Sequence, residues 1–276
     1  MKKKYIITGS KSLIGSSILG ISPCDGIAFN ERIQNYNSFS NTEEVTAETF
    51  FHCAWVGASS ADRNSEINYE NVKYLPDVIE VAKKFGVRRF IDCGSQAEIN
   101  MPETAYAKAK TEFAEEAGEL CRKAGIEFCH TQIFSVYGPL SQMKGNLIKT
   151  VITSLLENKS PKLTKCEQMW DFLYSEDCGR AFHLIAEKGI SGKSYQIGSG
   201  EERLLREYIE VIRDIVNRGV ELEFGAIPYY PNQAMRLCAD IAELRADTGF
   251  LPQVSFEAGI RLALTDLPTH DTKNKK

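Results

Sequence analysis

A tyrosine and a lysine four positions apart are the clearest candidates for chemistry in this sequence. Tyr106 and Lys110 lie in a window, 105–124, whose apolar residues recur at helical spacing, so both side chains project from one helix face. An ammonium charge beside a phenol favours the phenolate, which suits the tyrosine to general acid and base catalysis. Because this spacing is also common by chance, the pair forms a site only if the fold places it beside a ligand.

A serine upstream could orient the oxygen on which the tyrosine acts. Residues 89–93 predict a buried strand, and Ser95 follows at its carboxyl end, the edge at which parallel α/β sheets bind ligands. Its hydroxyl could then donate a hydrogen bond to the reacting oxygen. We therefore predict Tyr106, Lys110 and Ser95 as the catalytic residues.

The first predicted strand leads into a glycine turn of the kind that binds phosphates. Residues 5–8 predict the strand and a helix begins at Leu13, with Gly9 and Gly15 framing the turn. Glycines let the backbone approach a pyrophosphate, and the start of a helix offers free N–H groups. Ser12 stands where a middle glycine would be expected, so an ordinary strand-to-helix turn is an equally good interpretation of this motif alone.

The end of the second predicted strand indicates which nicotinamide cofactor this turn would accept. A carboxylate there binds the ribose hydroxyls, whereas a cation tolerates an added 2′-phosphate. The strand ends at Asn30, Arg32 follows, and Lys11 adds a cation within the glycine turn. NADP(H) is therefore favoured and NAD(H) stays possible, because Glu31 could bind the ribose hydroxyls and Arg32 could be a solvated loop cation.

Short apolar runs alternate with amphipathic stretches along the first half of the chain. The predicted strands lie at 5–8, 27–29, 49–54, 89–93 and 127–135, and the predicted helices start at Leu13, near 71–85 and over 105–124. Gly86 and Gly125 each follow a basic last turn and predict helix ends. This order predicts an α/β fold, a Rossmann-type doubly wound parallel sheet with a smaller C-terminal α/β region.

The regular alternation stops after Tyr137-Gly138-Pro139, which suggests two regions. We predict a dinucleotide-binding Rossmann domain over 1–140 and a substrate-binding region, interleaved with it, over 141–268. The predicted elements of the second region are a helix over 147–157, an extended piece at 171–174 and two more helices. Residues 269–276 predict a polar, frayed tail.

Composition argues against several other classes of protein. The 276 residues are 43% hydrophobic and carry a formal net charge of −4, so the chain predicts a globular protein without the basic face of a nucleic-acid binder. No apolar run approaches the roughly 18 residues of a membrane span, and the apolar run after Lys4 is too short for a signal peptide.

The cysteines and histidines do not suggest a metal site. The eight cysteines form no C-x-x-C pair and read best as small core residues, and the four histidines lie without carboxylate or cysteine partners in the sequence. We therefore expect a cytoplasmic, thiol-reduced protein with no metal.

These features, in this order, resemble the extended short-chain dehydrogenase/reductase family, also called the NAD-dependent epimerase/dehydratase family. The resemblance rests on the glycine turn, Ser95, Tyr106-x-x-x-Lys110, Val136-Tyr137-Gly138-Pro139, Phe51-His52-Cys53-Ala54, Asn71, Asp171-Phe172-Leu173-Tyr174 with Asp177, and Tyr195-Gln196-Ile197-Gly198-Ser199-Gly200. It covers nearly the whole chain. It implies an oxidoreductase with a nicotinamide cofactor, a nucleoside-diphosphate sugar as substrate, and a homodimer formed through the apolar faces of the helices from Asn71 and Ala105.

The resemblance also assigns residues to the two ligands. The expected cofactor-binding residues are Thr8, Gly9, Lys11, Ser12, Leu13, Ile14, Gly15, Asn30, Arg32, Cys53, Ala54, Trp55, Asn71, Cys93, Tyr106, Lys110, Phe134 and Val136. The expected substrate-binding residues are Ser95, Gln96, Asn146 and Arg236. Asn146 could equally be a plain helix N-cap, whereas Arg236 would offer a bidentate cation to a diphosphate.

Departures from the family pattern narrow the reaction. Gln96 and Ala97 stand where the family's 4,6-dehydratases carry an acidic pair, so dehydration is not expected. Trp170 replaces the arginine before Asp171, and only 11 positions separate Ser95 from Tyr106, which shortens a loop over the sugar pocket.

Three functions remain. The segments from Glu223 to Phe250 are similar to those of short CDP-sugar 4-reductases of the abequose-synthase type, which favours NAD(P)H-dependent C4 reduction of a nucleotide-linked 4-keto-6-deoxy sugar. A nucleotide-sugar 4-epimerase is the alternative. A non-catalytic NAD(P)-binding sensor or scaffold is the third, and the intact Tyr106, Lys110 and Ser95 argue against it.

Overall fold

A computed structural model describes residues 2–40, 44–231 and 233–265, so the predicted tail, 269–276, lies outside the described residues. The strands are β1 (Lys2–Thr8), β2 (Gly26–Phe29), β3 (Thr46–His52), β4 (Arg89–Asp92), β5 (Gly94–Ser95), β6 (Glu127–Ile133), β7 (Ser135–Tyr137), β8 (Met169–Trp170), β9 (Phe172–Tyr174), β10 (Ser194–Ile197), β11 (Arg203–Leu204) and β12 (Arg236–Leu237). The helices are α1 (Leu13–Ile21), α2 (Tyr69–Lys73), α3 (Leu75–Lys84), α4 (Ala97–Asn100), α5 (Ala105–Ala124), α6 (Leu147–Leu156), α7 (Ser175–Lys188), α8 (Leu205–Val216), α9 (Ala242–Thr248) and α10 (Phe256–Leu264).

Seven of the strands form one sheet in which all neighbours are parallel. The order is β10-β6-β4-β3-β1-β2, and the short β5 also pairs with β6. The chain runs outward from β1 in both directions, so the strand order reverses between β1 and β3. Such a reversal opens a crevice at the carboxyl ends of the strands, where ligands of this architecture bind. The predicted Rossmann-type α/β fold is confirmed.

Alternate side chains of the central strands enter two separate cores. Ile6, Phe50 and Phe90 face the side covered by α3 and α5, whereas Ile7 and Phe51 face the side covered by α1 and α7. A strand buried on both faces reads as a continuous apolar run, which is why the sequence signal here is strong. Among the described residues, no helix is long and apolar enough to cross a membrane.

The apolar faces that suggested a dimer contact pack within the subunit. On α5, Phe113, Ala117 and Cys121 are buried in the core beneath the helix, and the residues on its outer surface include Glu115 and Glu119. The apolar residues of α3 enter the same core. These apolar residues therefore contribute to the core of the subunit itself, and the homodimer stays a prediction.

The second half of the chain contributes to both parts of the structure. Helices α6, α8 and α10 enclose a core of their own, beside a three-stranded sheet of order β11-β8-β12. Helix α7, however, packs against α1, and β10 extends the main sheet beside β6. The second region is therefore interleaved with the first rather than appended to it.

Two element predictions differ from the structure. The helix expected over 71–85 is two helices, α2 and α3, because Pro76 in the first turn of α3 has no N–H with which to continue α2. Four helices, rather than two, follow Tyr174 in the described residues. The additional ones, such as the seven-residue α9, are too short to show a clear period in sequence.

A buried aspartate joins separate segments of the second region. The carboxylate of Asp171 is fully buried and accepts hydrogen bonds from the Ser199 N–H at 2.8 Å, the Ser199 hydroxyl at 2.6 Å, the Gly200 N–H at 3.0 Å and the Ala239 N–H at 3.1 Å. Charge-assisted bonds of this kind are the stronger ones. Two segments that the resemblance picked out separately, around Asp171 and around Ser199, are thus one structural unit.

A buried histidine lies between two carboxylates beneath the carboxyl end of the sheet. His130 on β6 contacts Asp92 through Nδ1, at 2.9 and 3.0 Å, and Glu98 through Nε2, at 2.8 Å. Burial lowers the pKa of His130, but the charges and hydrogen bonds of Asp92 and Glu98 outweigh it and raise the pKa to about 10. The expectation that this histidine has no carboxylate partner is wrong, because both partners come from other elements.

This cluster predicts a pH dependence of stability. The folded protein keeps the His130 proton above pH 6.5 while the unfolded chain loses it, so the free energy of unfolding should fall as pH rises. Between about pH 7 and pH 8.5 the slope should reach up to about 1.4 kcal/mol per pH unit in the native protein. Denaturant titrations should show that His130→Gln loses this component of the slope.

His183→Gln is the matched control for this measurement. Burial lowers the pKa of His183, so this histidine is already neutral over the same pH range. If the two histidine variants show the same slope, His130 does not hold its proton in the folded state.

Candidate active site

In the glycine turn after β1, two glycines let backbone segments pack closer together than a side chain would allow. Gly9 has φ +66°, and a Cβ there would lie 2.6 Å from the carbonyl carbon of Cys53. A Cβ on Gly15 would clash with the Gly9 carbonyl oxygen. Ser12 replaces the middle glycine without strain, because it has φ −77° and its Oγ caps α1 by accepting the Gly15 N–H at 3.0 Å.

A groove of about 660 Å³ runs from this turn along the ends of β2 and β3. Its lining includes nine of the expected cofactor residues, namely Gly9, Lys11, Ser12, Asn30, Arg32, Cys53, Ala54, Trp55 and Asn71. Glu31 also lines it, together with Lys144, which sequence reasoning missed because it belongs to the second half of the chain. The open backbone at Gly9 and Gly15 and the cations at the rim fit a dinucleotide with its phosphates.

Two expected cofactor residues shape the groove instead of exposing polar groups to it. Thr8 is fully buried, and its hydroxyl accepts the Ala54 N–H at 3.2 Å and contacts His52 Nδ1 at 3.0 Å. Asn71 is equally buried, and its amide exchanges two 2.9 Å hydrogen bonds with the backbone of Val56. Both side chains hold the loop after β3 in place.

The predicted catalytic pair, Tyr106 and Lys110, lies at the end of this groove, with Trp55 between the groove and the helix. Lys110 Nζ lies 3.5 Å from the centroid of the Trp55 ring and donates a 2.5 Å hydrogen bond to the Cys93 carbonyl. The Tyr106 ring meets Trp55 edge to face at 6.1 Å. Burial and the Lys110 charge lower the pKa of His52 to about 3, so the imidazole of His52 is uncharged at neutral pH.

Ser95 and Tyr106 line one small cavity of about 100 Å³, which also contains Gln96. The backbone N–H of Ser95 donates a 2.5 Å hydrogen bond to Glu98, the carboxylate that also contacts His130. The oxygen of the Gln96 amide is buried and has no hydrogen-bond partner among the described residues. The fold therefore brings Ser95 and Tyr106 to one cavity and places Lys110 Nζ 5.8 Å from the centroid of the Tyr106 ring, while their catalytic roles stay predictions.

Other predicted cofactor residues lie off the groove. Leu13 and Ile14 pack into the cores, so only their backbone faces the turn. Phe134 is buried against Leu237, and its N–H is bonded within the sheet. Val136 lines a different cavity. Phe134 and Val136 therefore do not line the groove described above, and their assignment to the cofactor stays a prediction.

That different cavity, of about 580 Å³, lies between the first region and α6. Its lining includes Ser135, Val136, Asn146, Lys162, Gln168, Trp170, Phe172 and Tyr230. Asn146 borders this cavity, and its side chain caps α6 by accepting the Lys149 N–H at 2.9 Å. Gln168 is 3% exposed, and the oxygen of its amide has no hydrogen-bond partner within the described ranges.

Arg236 does not reach this cavity, contrary to the sequence prediction. Its guanidinium makes a bidentate ion pair with Glu202, at 2.8 and 3.0 Å, and it borders a separate exposed cleft beside Asn100. Lys162, which sequence reasoning missed, is a cation that lines the cavity of about 580 Å³. Within the described ranges, no cluster of three or more histidine, cysteine or carboxylate side chains could hold a metal ion.

Comparisons with known proteins agree with this arrangement. The model of the NAD dependent epimerase/dehydratase family matches residues 33–198. A dTDP-glucose 4,6-dehydratase of Shigella flexneri is 26% identical over 262 residues, which are 92% of this chain and 66% of the relative. The chain thus spans about two thirds of the length of that curated relative, and 47% of one from Escherichia coli.

Solved structures share the fold over nearly the whole chain. RMD from Pseudomonas aeruginosa, in complex with NADPH, has a TM-score of 0.82 at 18% identity and covers 96% of this chain and 98% of its own. A UDP-glucose 4-epimerase from Thermotoga maritima has a TM-score of 0.80 at 20% identity, with the same coverage. Because the family model matches more than half of the residues, the chain belongs to the NAD dependent epimerase/dehydratase family, as its resemblance to the extended short-chain dehydrogenases/reductases implies.

Proposed function

We propose that the protein is an NAD(P)H-dependent oxidoreductase that reduces C4 of a nucleotide-linked 4-keto-6-deoxy sugar. The observation that carries this proposal is the cavity shared by Ser95 and Tyr106, next to Lys110 and at the end of the dinucleotide groove. A nicotinamide in the groove would supply the hydride. Resemblance to CDP-sugar 4-reductases of the abequose-synthase type supports the sugar class.

The residues of the cavity divide the work on the reacting oxygen. Tyr106 donates its phenolic proton to the oxygen that becomes an alkoxide, and Ser95 donates a hydrogen bond that orients it. Lys110, held by Cys93 and Trp55, places its charge beside the tyrosine and would bind the cofactor ribose. This arrangement needs no further acid.

Among the described residues that line the cavity of Ser95 and Tyr106 there is no carboxylic acid, which distinguishes the proposed reduction from dehydration. A 4,6-dehydration requires one group to remove a proton and another to expel hydroxide, but Gln96 and Ala97 can do neither. Glu98 is the nearest carboxylate in sequence, and both of its oxygens are occupied, one by the Ser95 N–H and one by His130. Its side chain is only 5% exposed.

The cavity of about 580 Å³ beside α6 suits the nucleotide of such a substrate. Trp170 and Phe172 offer aromatic faces for a base, and Lys162 offers a cation for the diphosphate. The unpartnered oxygen of Gln168 could accept a hydrogen bond from an N–H group of the base. Asn146 lies at the same wall.

A 4-epimerase of the same family is the second candidate, because it would use the same tyrosine, lysine and serine. Its product would retain the oxidation state of its substrate, whereas the reductase consumes one NADPH per sugar. Incubating the protein with nucleotide 4-keto-6-deoxy sugars and NADPH or NADH, with identification of the product, separates the two. Cofactor binding without turnover of any sugar nucleotide would instead support a sensor or scaffold.

Replacing Tyr106 with phenylalanine tests the proton donor. Tyr106→Phe removes the hydroxyl but keeps the ring against Trp55, so turnover should fall by about two to four orders of magnitude while NADPH still binds. Steady-state kinetics and NADPH fluorescence measure the two effects. Tyr69→Phe, on α2 and outside the cavities described above, is the matched control and should keep its activity. Near-normal turnover by Tyr106→Phe would remove Tyr106 from the mechanism.

Cofactor preference follows from the cations at the groove. Lys11, Arg32 and Lys144 line it together with one carboxylate, Glu31, so a 2′-phosphate should be accepted. We expect NADPH to bind more tightly than NADH. Lys11→Ala combined with Arg32→Ala should weaken NADPH binding by about tenfold or more, with a much smaller effect on NADH, since exposed pairs are worth about 1 kcal/mol each.

Matched titrations of the two cofactors measure this preference. Arg122→Ala combined with Lys123→Ala, on the outer face of α5, removes the same charge away from the groove and should change neither affinity. If the Lys11/Arg32 variant loses equal affinity for both cofactors, or if the native protein prefers NADH, then Glu31 or Asn30 binds the ribose hydroxyls.

We further propose that the protein is cytoplasmic and forms a homodimer. The eight free thiols support the cytoplasmic location, and the family resemblance alone supports the homodimer. Because the apolar faces of α3 and α5 are buried within the subunit, a dimer would use other surfaces. Light scattering at micromolar concentration should give a mass of about twice 30.9 kDa. A mass of one chain would contradict the dimer.

A further inference from the structure

Two cysteine sulfur atoms lie in contact where β3 and β4 end. Cys53 and Cys93 directly follow the strand partners His52 and Asp92, and their Sγ atoms are 2.9 Å apart. The Cys93 N–H also donates a 3.1 Å hydrogen bond to the His52 carbonyl, so the strand pairing continues up to the two thiols. The proposed reduction uses neither sulfur.

These thiols are less buried than the cysteines of the cores. Cys53 and Cys93 are partly buried, as is Cys238, whereas Cys121, Cys129, Cys166 and Cys178 are buried and Cys24 is exposed. Cys53 lines the dinucleotide groove, and its carbonyl is the surface against which Gly9 packs. The carbonyl of Cys93 holds Lys110. The pair therefore lies at the floor of the groove, between the phosphate-binding turn and the catalytic lysine.

We propose that Cys53 and Cys93 are a redox-active dithiol that hydroperoxides convert to a disulfide, and that the disulfide weakens binding of the nicotinamide cofactor. The geometry suits this bond. Adjacent strands are about 4.8 Å apart, within the range of Cα separations that disulfides span, and the sulfur atoms need to approach by only about 0.9 Å. The inference concerns control of the groove and goes beyond the proposed reduction.

The reaction balances with hydrogen peroxide as the two-electron oxidant. The Cys53 sulfur attacks one peroxide oxygen, the O–O bond breaks, and Cys53 sulfenic acid and water form. The Cys93 sulfur then attacks the sulfenic sulfur, an S–S bond replaces the S–O bond, and the thiol proton leaves with the hydroxyl as a second water.

The two sulfurs have different roles in this sequence. Burial and the neighbouring Cys53 raise the pKa of the Cys93 thiol, so Cys93 stays protonated and donates its S–H to Cys53. Cys53 borders the groove, where a small oxidant can enter. Cys53 is thus the thiol that meets peroxide first, and Cys93 is the one that resolves the sulfenic acid.

Oxidation and cofactor binding should then oppose each other. Closing the bond pulls together the ends of β3 and β4, and with them the Cys53 carbonyl that supports Gly9 and the Cys93 carbonyl that positions Lys110. Conversely, a dinucleotide seated in the groove covers Cys53. Such coupling is reciprocal, so the disulfide should lower cofactor affinity and bound cofactor should slow formation of the disulfide.

Peptide mapping of the full chain after peroxide treatment tests the bond. The reduced protein is incubated with hydrogen peroxide, its remaining thiols are alkylated, and the digest is analysed by mass spectrometry. We expect one linked peptide pair joining Cys53 to Cys93, absent after dithiothreitol and formed more slowly with NADPH present. Cys93→Ser should instead accumulate a dimedone-reactive sulfenic acid on Cys53.

The exposed Cys24 provides the matched control, because Cys24→Ser removes one thiol and should leave the linked pair unchanged. Two thiols that stay alkylatable under peroxide, or a linkage of either to another cysteine, would overturn the dithiol. Formation of the bond at the same rate with saturating NADPH would overturn its placement under the cofactor.

Fluorescence titration of the oxidised and reduced chain with NADPH tests the consequence. We expect the dissociation constant to rise by about tenfold on oxidation and to return after dithiothreitol. Unchanged affinity would refute control of the groove by the disulfide. If the reduced chain binds no NADPH at all, the proposed function fails, whereas the peptide map still decides whether the dithiol exists.

Discussion

The close contact of Gly9 with the end of β3 is the constraint on which the rest of the site depends. It requires a left-handed residue without a side chain, since a Cβ would lie 2.6 Å from the Cys53 carbonyl carbon. Thr8 reinforces the contact by accepting the Ala54 N–H. Because the strand order reverses between β1 and β3, this contact closes one end of the crevice where a ligand of the sheet would lie.

The same strand ends position α5, the helix that carries Tyr106 and Lys110. Lys110 reaches the Cys93 carbonyl after β4, and the ring of Trp55, after β3, packs against both Lys110 and Tyr106. Phe113, further along α5, stacks on His52 at 5.3 Å. The helix sets the spacing between Tyr106 and Lys110, and the ends of two neighbouring strands fix where these side chains lie. A helix shift of one residue would break every one of these contacts.

Much of this arrangement follows from local sequence, and the remainder from contacts across the chain. The bounds of α5 are those predicted, because Thr104 caps its start and Gly125, at φ +70°, ends it. The partners of His130 could not be predicted, since Asp92 and Glu98 lie 38 and 32 positions away on other elements. The same holds for Arg236, which looks free to bind a diphosphate until the fold brings Glu202 to it.

The lining of the dinucleotide groove likewise combines residues that local sequence predicts with residues that only long-range packing brings there. Gly9, Lys11 and Arg32 line it as their local motif predicts, but Lys144 reaches it only because the second half of the chain is interleaved with the first. The family resemblance assigns Phe134 to the cofactor, whereas the structure buries its side chain against Leu237. Sequence motifs identify which backbone turns a ligand would approach, whereas side-chain lining depends on how distant segments pack.

The three residues after Ser95 show how small changes select a reaction on a shared fold. Glu98 is an acid in the right neighbourhood for proton transfer, yet it points into the sheet and is neutralised by His130. Gln96 borders the cavity in its place and offers a buried, unpartnered carbonyl oxygen that can accept a hydrogen bond from a sugar hydroxyl but cannot take its proton. The acid therefore supports the backbone of Ser95, and the amide borders the cavity. In the proposed function Tyr106 is then the proton donor of the cavity, which suits a reduction at one carbon better than an elimination across two.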